Sequence, residues 1–334
     1  MKFGIVFPNS FAGLYGNVPF AGPEQLVHFA QMVDRLGYDS MWGLDLMLPG
    51  TSRRAAVQEE SPDWYELMVS LAYAASRTKR IKLATGVIIL PLREPVLLAK
   101  QACTLDQFSH GRTILGVGIG ASKNEFESLQ PRLKGTNRGA MLEDSLNALK
   151  LLLKGQPASY KGKFYEFNDV DISPRPFNGK LPVYIAGNTD QQPDVIASRV
   201  ARWADGWLMS VATNAETIRE RVERIRPMLE KEGRKPSDVD YAAVTIMSIA
   251  KDSNTALDRF LNTRVTRRRR GGQTVEQLTS KNLIGTVNEV IEKVAGFKKE
   301  GATSCIITNP AVDTLQEMVE QTQWFAEEVM PHFS

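Results

Sequence analysis

An alternation between short β-forming apolar runs and longer stretches of helical spacing, repeated eight times, constrains this chain most. The apolar runs are Phe3–Phe7, Ser40–Gly43, Ile81–Val87, Thr113–Val117, Val183–Ala186, Gly206–Met209, Ala242–Ile249 and Ser304–Thr308. The helical stretches are Glu24–Leu36, Trp64–Ser76, Val96–Phe108, Arg138–Leu153, Pro193–Ala204, Ala215–Glu232, Val287–Lys299 and Thr314–Met330. Within the runs the apolar residues are nearly continuous, the pattern of parallel strands covered on both faces. Eight strand–helix units favour an α/β fold of the closed (β/α)8 kind, a TIM barrel, over an open doubly wound sheet. Periodicity does not show closure by itself, so the open sheet stays as the alternative.

Segment lengths then orient the barrel. Segments after strands are long, as in Pro8–Pro23, Leu44–Asp63, Ile119–Asn137 and Lys251–Leu283. Segments leading into strands are short, as in Gly37–Asp39 and Gly301–Thr303. Insertions in the loops after strands place the active-site face at the strands' carboxyl ends. Gly155–Pro182 is the exception, and it reads as an excursion on the opposite rim. No linker or low-complexity segment interrupts the pattern, so residues 1–334 are expected to form a single barrel domain.

Composition excludes several classes. A net charge of +3 is too small to imply nucleic acid. Cys103 and Cys305 fall in apolar elements far apart in sequence, and they read as buried thiols in a reducing compartment. Met1–Pro8 reads as a strand rather than a secretory leader, and no apolar run approaches spanning length. A soluble cytoplasmic protein with no membrane contact is expected. His28, His110 and His332 make no metal-ligand spacing with cysteine or carboxylate, and no serine nucleophile elbow occurs. Chemistry carried by an organic cofactor, without a metal, fits this set of residues.

Four segments are candidates to meet such a cofactor. Gly116-Val117-Gly118-Ile119-Gly120 follows the fourth strand, and its alternate glycines allow close backbone approach. It lacks the spacing of the dinucleotide fingerprint and of the P-loop, and a sharp exit from a crowded strand explains it equally. Ala186-Gly187-Asn188-Thr189 precedes a helix, where free amides and the dipole favour an anion, or where Thr189 simply caps. Thr85-Gly86-Val87 ends the third strand, where glycine signals a bulge or a flat ligand. Asp45 stands just beyond the second strand. Arg264–Arg270 holds five arginines in seven residues, a phosphate clamp or a solvated loop.

In order and spacing these segments resemble the luciferase-like family of flavin- and deazaflavin-dependent oxidoreductases. The likeness begins with Met1-Lys2-Phe3-Gly4-Ile5-Val6 and Leu36-Gly37-Tyr38-Asp39-Ser40-Met41-Trp42, with Asp45 beyond. Its most specific stretch runs from Thr85-Gly86-Val87 through Pro95–Lys100, Thr104-Leu105-Asp106, Ser109-His110-Gly111-Arg112 and Leu115–Gly120. Asn124-Glu125-Phe126, Arg138 with Glu143, Pro182–Gly187, Ala204-Asp205-Gly206-Trp207 and Leu283-Ile284-Gly285-Thr286 complete it. The resemblance implies a TIM barrel, often dimeric, with its ligand in the carboxyl-terminal mouth. It implies a non-proline cis peptide at Gly86–Val87 against the cofactor ring, with Thr85 beside it. Gly118, Gly120, Ala186, Gly187, Asn188 and Thr189 would then serve the ribityl chain and phosphate. Many members follow the acid after the second strand with histidine. Here Leu46 follows Asp45, so acid–base function falls to Asp45 or Glu125.

The function implied is hydride transfer between the deazaflavin coenzyme F-420 and a small-molecule substrate. The alternative is a two-component monooxygenase that takes reduced FMN from a separate flavin reductase and reacts with oxygen. A non-catalytic barrel binding nucleic acid through Arg264–Arg270 is the third reading, but no aromatics interleave with the arginines. Leu14, Tyr15, Phe20, Met47, Trp64 and Leu92 are candidate apolar walls for the substrate. A homodimer is expected from the family.

Overall fold

The computed structural model describes residues 1–10, 20–48, 63–187, 193–209, 213–263, 266 and 274–333. All eight apolar runs form strands: β1 Lys2–Val6, β2 Ser40–Gly43, β3 Lys82–Thr85, β4 Thr113–Gly118, β5 Val183–Gly187, β6 Gly206–Met209, β7 Asp240–Ile249 and β8 Ser304–Pro310. They pair in parallel from β1 through β6 in sequence order, β6 pairs with β7, β7 with β8, and β8 returns to β1. The sheet is therefore closed, which excludes the open alternative and leaves the barrel strands no free edge. The helices packed outside are α1 Pro23–Arg35, α2 Leu67–Ala75, α3 Pro95–Phe108, α4 Arg138–Leu152, α5 Pro193–Trp203, α6 Ala215–Lys231, α7 Val287–Lys299 and α8 Leu315–Glu328.

Two-sided burial accounts for the continuous apolar runs. Along β6, Trp207 and Met209 join the core between barrel and helices, while Leu208 points into the barrel. Along β7, Tyr241 and Ala243 face out while Ala242 and Val244 face in, the period-two alternation of a strand. Trp42 and Tyr184 are the bulky members of the interior, with ring centroids 5.6 Å apart. Their volume is accommodated by glycines. A Cβ on Gly4 would lie 2.7 Å from Trp42 Nε1, and one on Gly206 would overlap the Tyr184 ring. Cys103 and Cys305 are fully buried free thiols, which burial pushes up to about 11 and about 12 respectively.

The excursion between α4 and β5 leaves and rejoins the barrel at the strands' amino-terminal rim, as expected. It is more than a rim loop, however. Ala158–Lys161 and Glu166–Val170 form an antiparallel hairpin against the outside of α4. Asp144 on α4 holds the hairpin turn, accepting from Tyr160 OH at 2.6 Å and from the amides of Lys163, Phe164 and Tyr165 at 3.2, 2.7 and 3.2 Å. The return leg is tied to α3, where Phe177 N donates to Asp106 Oδ2 at 2.7 Å and Gln107 Nε2 to the Arg175 carbonyl at 2.9 Å. A further short strand unseen in the sequence, Leu283–Gly285, pairs with the end of β7. No described helix is long and apolar enough to cross a membrane.

Burial pushes the Asp144 carboxyl up, but the Tyr160 hydroxyl and the three amides outweigh it and hold it below the ordinary carboxylate value. Asp144→Asn should therefore cost about 2 kcal/mol at neutral pH, since it replaces hydrogen bonds to a charged acceptor. A depressed pKa stabilises the fold in full above the unfolded value, about 3.9, and that contribution is lost as pH falls through the folded value. Urea unfolding of both proteins checks this. The gap between them should shrink on acidification, and a gap that stayed constant below about pH 3 would contradict the assignment.

Candidate active site

The carboxyl end of the barrel is shaped by how β3 leaves the sheet. β3 and β4 are in register at Leu83↔Thr113 and Ala84↔Ile114, and Ile88–Ile89 rejoins β4 at Val117 and Gly118. Between these pairs, Thr85, Gly86 and Val87 face only Leu115 and Gly116, so the leaving strand bulges. The Gly86–Val87 peptide within the bulge is cis, as the resemblance implied.

The alternate glycines of β4 and its exit fit this bulge residue by residue. A Cβ on Gly116 would overlap the Thr85 carbonyl oxygen. One on Gly118 would lie 2.9 Å from Val87 Cγ2, and one on Gly120 would lie 2.7 Å from Ile89 Cγ2. Gly120 also has φ +76°, where a side chain is strained in any case. The space left by the three glycines is thus filled by residues 85, 87 and 89 of the same chain. Thr85 is fully buried and donates from Oγ1 to the Gly116 carbonyl at 2.7 Å, bracing the bulge from within the sheet.

Trp42 supports the bulge from the barrel interior. A Cβ on Gly86 would lie 3.3 Å from both Cβ and Cε3 of Trp42, whose Nε1 is held by Ser40 Oγ at 2.8 Å. Gly86, Val87, Ala186 and Gly187 are half-buried at the ends of β3 and β5, above a buried floor of Trp42 and Tyr184. A flat ring with one apolar face fits such a backbone surface. Gly187 is glycine for a packing reason as well, because its Cβ would lie 2.6 Å from Ile196 Cδ1 on α5. Asn188 and Thr189 lie outside the described residues, as do Leu14, Tyr15 and all five arginines of the 264–270 run.

Both candidate acids are buried here and bound to backbone. Asp45, its side chain 2% exposed, accepts from Ile89 N at 2.9 Å through Oδ2 and from Arg93 Nη2 at 2.8 Å through Oδ1. Arg93 reaches on to Glu66 Oε1 at 3.2 Å, and Glu66 caps α2 through Val69 N. Glu125, 1% exposed, accepts from Met47 N at 2.6 Å and Leu48 N at 3.1 Å. Both of these bonds fall on Oε1. Burial raises the Asp45 carboxyl, and Arg93 with the Ile89 amide offsets only part of that. Burial likewise raises Glu125 more than the Leu48 and Met47 amides lower it, and the Asp45 charge adds to the rise. Arg138 binds the carbonyls of Ile119, Gly120 and Ser122 at 3.2, 3.0 and 3.3 Å, fixing the path after β4.

Sequence reasoning missed two members of this network. Asn9 is fully buried after β1, donating to the Leu44 carbonyl at 2.9 Å and accepting from Leu44 N at 2.9 Å. It ties the exits of β1 and β2 together. Arg93 bridges Asp45 and Glu66 across 48 and 27 positions, and no local spacing announces either pairing. Trp64 joins the same place by donating from Nε1 to the Leu44 carbonyl at 3.1 Å, while Phe20 stacks on Tyr65 at 4.4 Å. Met47 is 39% exposed.

Two pairs of substitutions test this construction. Gly116→Ala should displace the bulge, lowering the melting temperature and weakening ligand binding at the mouth together, by about 1–3 kcal/mol of overpacking. Gly135→Ala, in open space, would share the glycine-to-alanine change without the clash, though its φ of +80° adds local strain. Arg93→Met should cost about 3–5 kcal/mol, because it leaves a buried carboxylate without its cation. Adding Asp45→Asn should recover part of that loss in urea unfolding, and a purely additive double variant would show that the pair does not interact.

Comparison with known proteins agrees with this architecture. An F-420-dependent glucose-6-phosphate dehydrogenase of Amycolatopsis mediterranei (strain U-32) is 28% identical over 242 residues, 71% of this chain and 68% of the relative. A 5,10-methylenetetrahydromethanopterin reductase of Methanopyrus kandleri is 24% identical over 361 residues, covering 95% of this chain and 97% of the relative. The crystal structure of a monooxygenase from Streptomyces bottropensis superposes with a TM-score of 0.79 at 22% identity, covering 100% of both chains. The profile of the luciferase-like monooxygenases matches residues 1–304. A closed parallel barrel with a bulged third strand, matched by that profile over most of its length, makes this chain a member of the luciferase-like monooxygenase family.

Proposed function

We propose that residues 1–334 form one oxidoreductase domain that moves hydride between coenzyme F-420 and a small organic substrate. The observation that carries this reading is the backbone surface at Gly86–Val87, backed by Trp42 and held by Gly116, Gly118 and Gly120. It offers a planar ring a rigid seat almost free of side chains. The deazaflavin is favoured over FMN because the glucose-6-phosphate dehydrogenase relative above is F-420-dependent, as its name states. When bound, the deazaflavin supplies a carbon at ring position five that accepts or gives hydride.

The chain's own groups have distinct parts in this reading. Gly86 and Val87 seat the ring, with Thr85, Gly118 and Gly120 acting through the bulge they brace. Ala186, Gly187, Asn188 and Thr189 take the ribityl chain and phosphate. Asp45 spends both oxygens on Ile89 and Arg93, so it orients the site. Among the described residues Glu125 engages backbone through Oε1, and its raised pKa suits a proton carrier. Asp45 remains the second acid–base candidate.

Equilibrium binding of oxidised F-420, FMN and reduced FMN to the purified protein tests the reading. Tight binding of F-420 with weak binding of both FMN forms is expected. Preference for reduced FMN would replace it with the two-component monooxygenase, dependent on a flavin reductase and oxygen.

A homodimer and a cytoplasmic setting complete the proposal. Two free buried thiols support the setting. For the dimer, Val69 and Tyr73 on α2 and Leu97 on α3 are 70%, 42% and 58% exposed, and α2 carries no charged residue. An apolar face of this kind marks an association surface. Sedimentation should find a dimer that Val69→Glu with Leu97→Glu converts to monomer. A monomeric parent protein would remove this part of the proposal.

A further inference from the structure

At the amino-terminal rim, away from the mouth, α4 and α5 part to leave a cleft of about 710 Å3. That volume is within the range that holds a small organic ligand. The floor is apolar, from Leu146, Leu149 and Leu181, and the Trp203 indole forms one wall. Trp203 is fixed by its Nε1 donating to Asn147 Oδ1 at 3.0 Å, and the Arg202 guanidinium lies 4.6 Å from its ring centroid.

Charge at the rim is predominantly positive, five cationic side chains against the carboxylates of Asp205 and Asp238. Two of the cations are committed internally. Lys180 pairs with Asp205 at 2.6 Å, and Arg234 binds the carbonyls of Ala201 and Ala204 at 2.8 and 2.7 Å at the end of α5. Asp238 is also engaged, accepting from Lys235 N at 2.8 Å. Lys150 lies in the last turn of α4, where a cation complements the helix dipole, but Lys154 lies beyond the helix end. Neither lysine makes an ion pair among the described residues.

An apolar floor, a flat aromatic wall and uncommitted cations at one edge match a single chemistry. We propose that this cleft binds a small organic anion with a flat apolar body, such as an aryl carboxylate or sulfonate, at a site separate from the barrel mouth. The ring lies on the leucines against Trp203, and the anionic group meets Lys150 and Lys154 beside Arg202. The site stands independently of the cofactor chemistry.

The test is a titration of the whole protein with anilinonaphthalene sulfonate, followed by dye emission. One saturable site is expected, weakened about tenfold or more by Lys150→Glu with Lys154→Glu, which is about 1.4 kcal/mol. Lys150→Arg with Lys154→Arg should retain binding, and FMN or F-420 should not displace the dye. Circular dichroism melting establishes that the variants are folded, and Arg202→Glu provides a second charge reversal if the first pair is not. Unchanged binding by the folded glutamate variant, or competitive displacement by FMN or F-420, would overturn the proposal.

Discussion

Among the described glycines the tightest contact lies between the bulge after β3 and β4, where a Cβ on Gly116 would overlap the Thr85 carbonyl. Three successive odd positions, 85, 87 and 89, rest where Gly116, Gly118 and Gly120 have no side chain. Neighbouring parallel strands stand about 4.8 Å apart, so an extra residue on one must go outward or into the neighbour's side-chain space. Here the second route is taken, and the glycines make it possible. Trp42 beneath and Asp45 at Ile89 N then hold the same segment from two further directions.

Electrostatics fixes what sterics has shaped. The exits of β1, β2 and β4 are long, and each is pinned near its start by a polar side chain, fully buried for Asn9 and Glu125 and half-buried for Arg138. Asn9 clasps Leu44, Glu125 clasps Met47 and Leu48, and Arg138 clasps the carbonyls after β4. Burial makes the Asn9 and Glu125 bonds costly to break, since an orphaned charge or amide would be left in low dielectric. The two carboxylates are raised by the same burial. A group that anchors a loop while holding a raised pKa couples its protonation to the loop's attachment, and this links the chemistry proposed at the mouth to its architecture.

The fold was legible because barrel strands are buried on both faces, so β1 to β8 appear as continuous apolar runs with only their ends misjudged. β7, for example, begins at Asp240, two residues before its apolar run. The hairpin on α4 was not legible, because Ala158–Lys161 and Glu166–Val170 are polar, half-exposed edge segments with no core pattern. Within the site, Gly86–Val87 and the alternate glycines were visible as residues, yet what fills the glycines' space is a tertiary fact. Asp45 and Glu125 could be singled out from the sequence. Their partners Arg93 and the Met47 and Leu48 amides could not, since long-range pairings leave no periodicity. The 264–270 arginines were the densest charge in the sequence and lie outside the described residues, so their part rests on the sequence alone.

Trp42 has a spectroscopic consequence. Its indole lies against Gly86 and 5.6 Å from the ring of Tyr184, one peptide layer below the proposed ring seat. Of the other four tryptophans, Trp64 also lies at the mouth, on the Leu44 carbonyl, whereas Trp203, Trp207 and Trp324 lie away from it, Trp207 buried between barrel and helices. An emitter so positioned is an internal reporter for that one surface. A chromophore settling over the bulge would quench the mouth tryptophans, Trp42 and Trp64, whereas a dye held in the cleft between α4 and α5 would quench Trp203, so the two surfaces carry separate optical labels without any being added.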